Sequence, residues 1–196
     1  MEGVRRRGGW RVALACVPFA ATVAVHAQAT SYRVDPARTR IEFSVLHLGV
    51  LRADGHFSQA TGRIVFDPSG QSGSIDFAVA GESVVTGWAL RDAFIRGENM
   101  FDVEHHPVVR FRSTRLVFEE ARLVRVDGEL TLRGLTRPLS LTVGRLDCGR
   151  QAPGAAATCA ADVDGVIRRR DFGMDFAWPL IGDEVSLRFV IGAVRE

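Results

Sequence analysis

The chain has 196 residues with 25 basic and 23 acidic side chains, and every basic one is arginine. That length fits one domain with a real hydrophobic core. A formal charge of +2 supplies no broad positive field, so composition argues against a nucleic-acid partner.

The first 29 residues differ from the rest. MEGVRRRGGWR carries Arg5, Arg6, Arg7 and Arg11, an apolar run VALACVPFAATVAV follows, and Ala27-Gln28-Ala29 closes the segment. A basic start, a short apolar stretch and an A-x-A site make a secretory signal peptide. The run is too short for a membrane span, so a chain that does not span the membrane is expected. Cleavage after Ala29 would leave residues 30–196 as a single exported domain, expected in the periplasm. The leader holds four of the 25 arginines and one of the 23 acidic residues, so removing it leaves a formal charge of −1.

From Tyr32 onward, side chains alternate with period two. IEFSVLH sets Ile41, Phe43, Val45 and His47 on one face. SIDFAVA does the same with Ile75, Phe77 and Val79. The stretch 86–101, TGWALRDAFIRGENMF, breaks the alternation and reads as one or two helical turns with Ala89, Leu90, Ala93 and Phe94 inward. LVRVDGELTLRG follows with Val124, Val126, Leu130 and Leu132, PLSLTVG with Leu139, Leu141 and Val143, and EVSLRFVIG with Val185, Leu187, Phe189 and Ile191. Such alternation marks half-buried antiparallel strands. Turn signals separate them at Asp67-Pro68-Ser69-Gly70, Gly81, Asp127-Gly128, Arg133-Gly134 and Gly182-Asp183. The fold class is therefore all-β: about eight antiparallel strands in a barrel or sandwich, with a short helical insert near residues 88–98. Candidate inward aromatics are Phe43, Phe57, Phe66, Phe77, Phe111, Phe118, Phe172, Phe176 and Phe189. Periodicity leaves open whether they fill the interior or line a cavity.

Cys148 and Cys159 are the two cysteines left after leader removal and are expected to form a disulfide in an exported chain. The adjacent His105 and His106 in FDVEHHPVVRF suggest a metal or acid-base site at first sight. In an extended segment neighbouring side chains point apart, and Pro107 holds His106 extended, so the pair reads as a strand entrance with His106 partly buried. No metal site is expected. The segment RRRDFGM invites an Arg-Asp catalytic reading or a kinase reading. No Gly-rich loop, H-R-D segment or G-x-S-x-G elbow accompanies it, and no enzyme is expected.

Five segments in order resemble the YceI-like family. They are YRVDPARTRIEFSVLHLGVLRADGHF from Tyr32 to Phe57, TGRIVFDP, FDVEHHPVVRF, VDGELTLRGLTRPLSLTV and IRRRDFGM. The resemblance implies a lipocalin-like eight-stranded barrel in a periplasmic protein, with a tunnel that holds a polyisoprenoid. It further implies a binding protein without a catalytic cofactor, whose partner is an isoprenoid lipid such as a polyprenyl phosphate or quinone, and it leaves a homodimer open. Residues expected to line the tunnel or meet the head group are Phe43, Val45, His47, Phe57, Phe77, Val79, Phe111, Arg169, Phe172, Phe176 and Phe189, with Arg170 a further head-group candidate. Two alternatives stay open: another amphiphile such as a fatty acid or its amide, and a periplasmic haem or metal protein in which His47 would be an axial ligand.

Overall fold

The computed structural model describes residues 29–67, 69, 71–149 and 155–196. The leader expected over residues 1–29 lies, but for Ala29, outside the described residues.

Eleven strands and one helix follow one another among the described residues. They are β1 (Thr30–Val34), β2 (Arg40–His47), β3 (Leu51–Phe57), β4 (Ala60–Asp67), β5 (Ser72–Ala80), β6 (Val84–Val85), α1 (Ala89–Arg96), β7 (Val108–Glu119), β8 (Arg122–Leu132), β9 (Leu135–Gly149), β10 (Thr158–Arg168) and β11 (Ile181–Arg195). Eight of them close on themselves in the order β1-β4-β5-β7-β8-β9-β10-β11, with β1 returning to β11. All pairings are antiparallel, and the seam is set by Tyr32 opposite Arg195 and Val34 opposite Ala193. Closure leaves no open edge around the barrel, which removes the unpaired N–H and C=O groups that make free strands sticky.

A short 3-10 turn, Pro36–Arg38, bends β1 into β2, so both run along β11. Asp35 caps that turn by accepting the Ala37 N–H at 3.0 Å. The β2–β3 hairpin and the short β6 therefore extend the wall upward on one side. The helix α1 sits at the same end. Its Asp92 accepts the N–H and the hydroxyl of Thr86 at 2.7 and 2.5 Å, and Arg96 donates to the carbonyls of Glu82 and Val84. These bonds hold α1 beside the rim.

The observed barrel agrees with the alternation of the sequence, and four local expectations are corrected. In β8, Phe118 pairs with Leu123 while Val117 pairs with Arg125, so Val124 is a bulge residue and Leu123 takes the inward place. Asp127-Gly128 is not a turn. It lies mid-strand, where Gly128 gives room for the ring of Phe111. Gly182-Asp183 likewise lies inside β11, at the register irregularity between Ile181 and Val185. In α1 the buried residues are Asp92 and Ile95; Leu90 and Phe94 border the cavity while 72% and 37% exposed, and Ala89 and Ala93 face outward, because the helix lies along the rim rather than plugging the barrel.

Candidate ligand-binding cavity

The inward faces do not meet in the middle. They enclose a cavity of about 510 Å³, walled almost wholly by carbon and reached from one end of the barrel. That volume lies within the roughly 300–1,000 Å³ common for small-molecule sites. Alternation supplies the lining. Ile41, Phe43 and Val45 contribute from β2; Phe77 and Val79 from β5; Leu187, Phe189 and Ile191 from β11. Outward positions of the barrel strands carry ion pairs, such as Arg112 of β7 with Asp76 of β5 and Arg115 of β7 with Asp127 of β8. Ser140 and the guanidinium groups of Arg115 and Arg125 hold the Asp127 carboxyl below its ordinary value.

The lumen stays open because large rings lie along the wall instead of across it. Phe43 stands opposite Gly55 in the β2–β3 register, and Phe77 stands opposite Gly62 in β4–β5. A Cβ on Gly55 would come within 2.4 Å of the Phe43 ring, and one on Gly62 within 2.9 Å of the Phe77 ring. Each glycine leaves a shallow bed that an aromatic ring fills from the neighbouring strand. Phe77 meets Phe189 edge-on at 6.3 Å, and Phe57 stacks with Phe101 at 5.7 Å.

The two ends of the cavity differ. At the far end Cys148 and Cys159 face each other across β9 and β10 with their Cα atoms 4.1 Å apart, and both line the cavity. The expected disulfide is present there. Polar lining groups gather at the open end: His47, Asp54, Thr86 and Arg91, with Arg169 beside them. Arg91 donates to the hydroxyl and carbonyl of Thr86, at 2.8 and 2.7 Å.

Of the residues expected to line a tunnel, Phe43, Val45, His47, Phe57, Phe77, Val79, Phe111, Arg169, Phe176 and Phe189 all border the cavity. Phe172 does not. It is 3% exposed and packed in the core beside the Arg169–Phe172 turn. Arg170 also stays outside the cavity, stacked over Trp178 with its guanidinium carbon 4.8 Å from the ring. Arg169 is 2% exposed, and its guanidinium donates to the carbonyls of Gly182 and Ile181 at 2.8 and 2.9 Å and to that of Met174. It therefore clamps the 174–182 loop to the barrel, and burial lowers its pKa from the usual guanidinium range. Sequence reasoning missed Leu146, Ala161, Met100 and Trp88 among the lining residues. Leu146 falls past the bulge opposite Asp162 and Val163, which shifts the phase of β9. Trp88 lies in the non-strand insert, where period two gives no signal.

The paired histidines are also placed differently from the extended reading. Residues 103–105 form a turn, and Asp102 has a positive φ of 50°. The His105 Nδ1 lies 2.8 Å from the Asp102 carboxylate and the His106 Nε2 lies 3.9 Å from it, so both rings gather round one acid. The turn overrides the up-down alternation on which the sequence argument rested. Neither ring borders the cavity.

A family model described as YceI-like domain matches residues 32–193. The chain belongs to the YceI-like family. Among its relatives, a UPF0312 protein of Photorhabdus laumondii is 29% identical over 173 residues, spanning 87% of this chain and 89% of the relative. One from Pectobacterium carotovorum is 29% identical over 157 residues, covering 80% and 81%. Among solved structures, BcnA of Burkholderia cenocepacia superposes with a TM-score of 0.66 at 21% identity, covering 81% of this chain and 98% of BcnA. A polyisoprenoid binding domain from Saccharophagus degradans, implicated in plant cell wall breakdown, gives 0.64 at 17% identity, covering 85% and 99%. At those identities the structures establish a shared YceI-like barrel.

Proposed function

We propose that this YceI-like protein is a non-enzymatic periplasmic carrier for a long isoprenoid lipid, with its tail in the barrel and its head at the open end. The observation that carries this reading is the cavity itself: apolar along its length, bounded by the disulfide at one end, and polar only near the mouth. Its shape matches an amphiphile with one polar terminus. Each buried methylene contributes about 0.8 kcal/mol, so a five-carbon unit contributes roughly 4 kcal/mol before the costs of association. Arg91 at the mouth would bond an anionic or carbonyl head through its remaining N–H groups, and His47 would serve a neutral head such as a quinone. The similarity to a domain described as polyisoprenoid binding supports the same chemistry. A disulfide in the fold supports an oxidising compartment.

The test is to express the full chain in a Gram-negative host, purify the exported protein, and compare native with denaturing mass spectra before extracting lipid. An adduct lost on denaturation and identified as an isoprenoid is the expected result, and its head group names the class. A fatty acid or fatty amide in the extract would replace the isoprenoid reading. A bare protein mass throughout would leave the cavity without a demonstrated occupant and defeat the carrier reading.

A further inference from the structure

The open end of the barrel is more apolar than the sides. In the β2–β3 turn, Leu48, Val50 and Leu51 are 61%, 78% and 60% exposed. Turns usually carry polar residues, because their backbone lies in water. Beside this turn, Trp178 and Leu180 are 48% and 60% exposed in the loop before β11. A third projection comes from the helix, where Trp88 and Leu90 border the cavity and stand 59% and 72% exposed.

These segments are far apart in sequence and joined in space. The Leu48 N–H donates to the Leu180 carbonyl at 2.7 Å, which ties the turn to the loop. The rings of Phe94 and Phe176 lie 4.7 Å apart, which ties the helix to the loop. The result is a continuous apolar rim through which the cavity opens, not a scatter of single exposed residues.

The charge pattern completes the surface. Residues 46–51 and 176–180 contain no Asp, Glu or Arg. Charge begins one step behind them and is internally compensated: Arg52 meets Asp54 at 2.6 Å, and Arg170 meets Asp175 at 3.4 Å while stacking on Trp178. Exposed uncharged aliphatics, two exposed tryptophans and arginines flanking them in sequence make the composition of a surface that sits in a lipid interface.

We propose that this rim docks on a lipid bilayer, placing the mouth of the cavity against the headgroup layer so that a ligand passes between membrane and barrel without entering water. A second copy of the chain is the rival occupant. It would cap the opening, whereas a bilayer keeps the apolar path continuous from acyl region to lumen. The purpose of docking rests on the carrier reading; the docking surface itself stands on the rim alone.

The test is flotation of the purified full chain with vesicles of phosphatidylethanolamine and phosphatidylglycerol, with tryptophan quenching by brominated lipid, at low and raised salt. The expected result is co-flotation that persists at raised salt, quenching that each single variant, Trp88→Phe or Trp178→Phe, keeps through its other rim tryptophan, and bound fraction lowered about tenfold or more by Val50→Asp or Leu180→Asp. Both aspartate sites are exposed, so the variants keep the wild-type thermal midpoint; an unchanged midpoint separates lost docking from lost folding. Three results would each overturn the proposal: protein that stays unbound, flotation equal in wild type and both variants, or a dimer in light scattering that the same substitutions dissociate while vesicles bind nothing. Lipid extraction is an independent readout, so a loaded barrel that ignores vesicles refutes docking and leaves the carrier reading intact.

Discussion

The ring of Phe111 lies against the backbone of Gly128, so that a Cβ built on Gly128 would stand 2.4 Å from the Phe111 Cζ and 2.4 Å from the Arg112 carbonyl oxygen. Any side chain at 128 must displace the ring or the strand. Gly128→Ala is expected to destabilise the fold by roughly 1–3 kcal/mol. If the ring gives way into the lumen, bound ligand is lost as well. Chemical denaturation followed by native mass spectrometry reads both effects, and a neutral Gly128→Ala would mean that the ring has other room.

Ala161 offers the opposite experiment. Its small side chain borders the cavity from β10. Ala161→Phe would project a ring into open space, and the closed β-sheet would tolerate it with a change of less than about 2 kcal/mol. Ligand retention in the native mass spectrum is expected to fall by at least about tenfold, since the ring and a tail compete for the same volume. Retention equal to wild type would place the ligand outside the lumen.

The bridge between Cys148 and Cys159 spans 11 positions in sequence. In the chain-entropy model closing a loop of that size is worth about 3 kcal/mol, and its loss lowers the thermal midpoint by roughly 6–12 °C in a domain of this size. Calorimetry of the double Cys→Ser variant checks this. The far wall is otherwise held by the β9–β10 ladder, so the variant is expected to fold and to keep its cavity.

The Asp102–His105 pair carries a pH signature. The hydrogen bond and charge of Asp102 raise the pKa of His105, and the same hydrogen bond lowers that of Asp102. The His105 contribution is complete below the ordinary imidazole value of about 6.5 and lost as pH rises through the raised one. The Asp102 contribution is complete above the ordinary carboxyl value of about 3.8 and lost as pH falls through the lowered one. The turn is therefore firmest in mildly acidic solution. An NMR titration should find the His105 ring above the ordinary value and Asp102→Asn should lower it; a ring that titrates alike in both chains would refute the pairing.

Arg169 is expected to matter for folding more than for ligand choice. Its donors hold the carbonyls of Met174, Ile181 and Gly182 in a site with 2% exposure. Arg169→Met should cost roughly 3–5 kcal/mol by stranding those carbonyls. The mass of any co-purified lipid should stay the same in the protein that folds. A stable variant with altered lipid would transfer Arg169 to the head-group site.

Much of this barrel is legible in its sequence. The faces Ile41-Phe43-Val45-His47, Ile75-Phe77-Val79 and Val185-Leu187-Phe189-Ile191 all border the cavity as period two requires. Alternation fails where the backbone adds a residue, as at Val124, since a bulge swaps the faces beyond it without any mark in hydrophobicity. It cannot tell a filled barrel from a hollow one, because that depends on whether rings such as Phe43 lie over a glycine in the next strand. The mouth was harder still. LGVL at 48–51 and FAWPL at 176–180 look like ordinary apolar sequence, and only the turns that expose them give them meaning.

The seam between β1 and β11 has a consequence for how the chain reaches this state. Tyr32 finds Arg195 and Ser31 bonds Glu196 at 2.8 Å, so the barrel closes with contacts between the earliest and latest strands. Such long-range pairing pays loop-closure entropy before any reward, which makes folding slow. Until β11 arrives, β1 and β10 are bare edges and the lumen is an open apolar trough. A nascent molecule halted before residue 181 would resemble an aggregation template more than a half-built carrier, and a chaperone that shields it until the last strand is delivered would set the yield of folded protein.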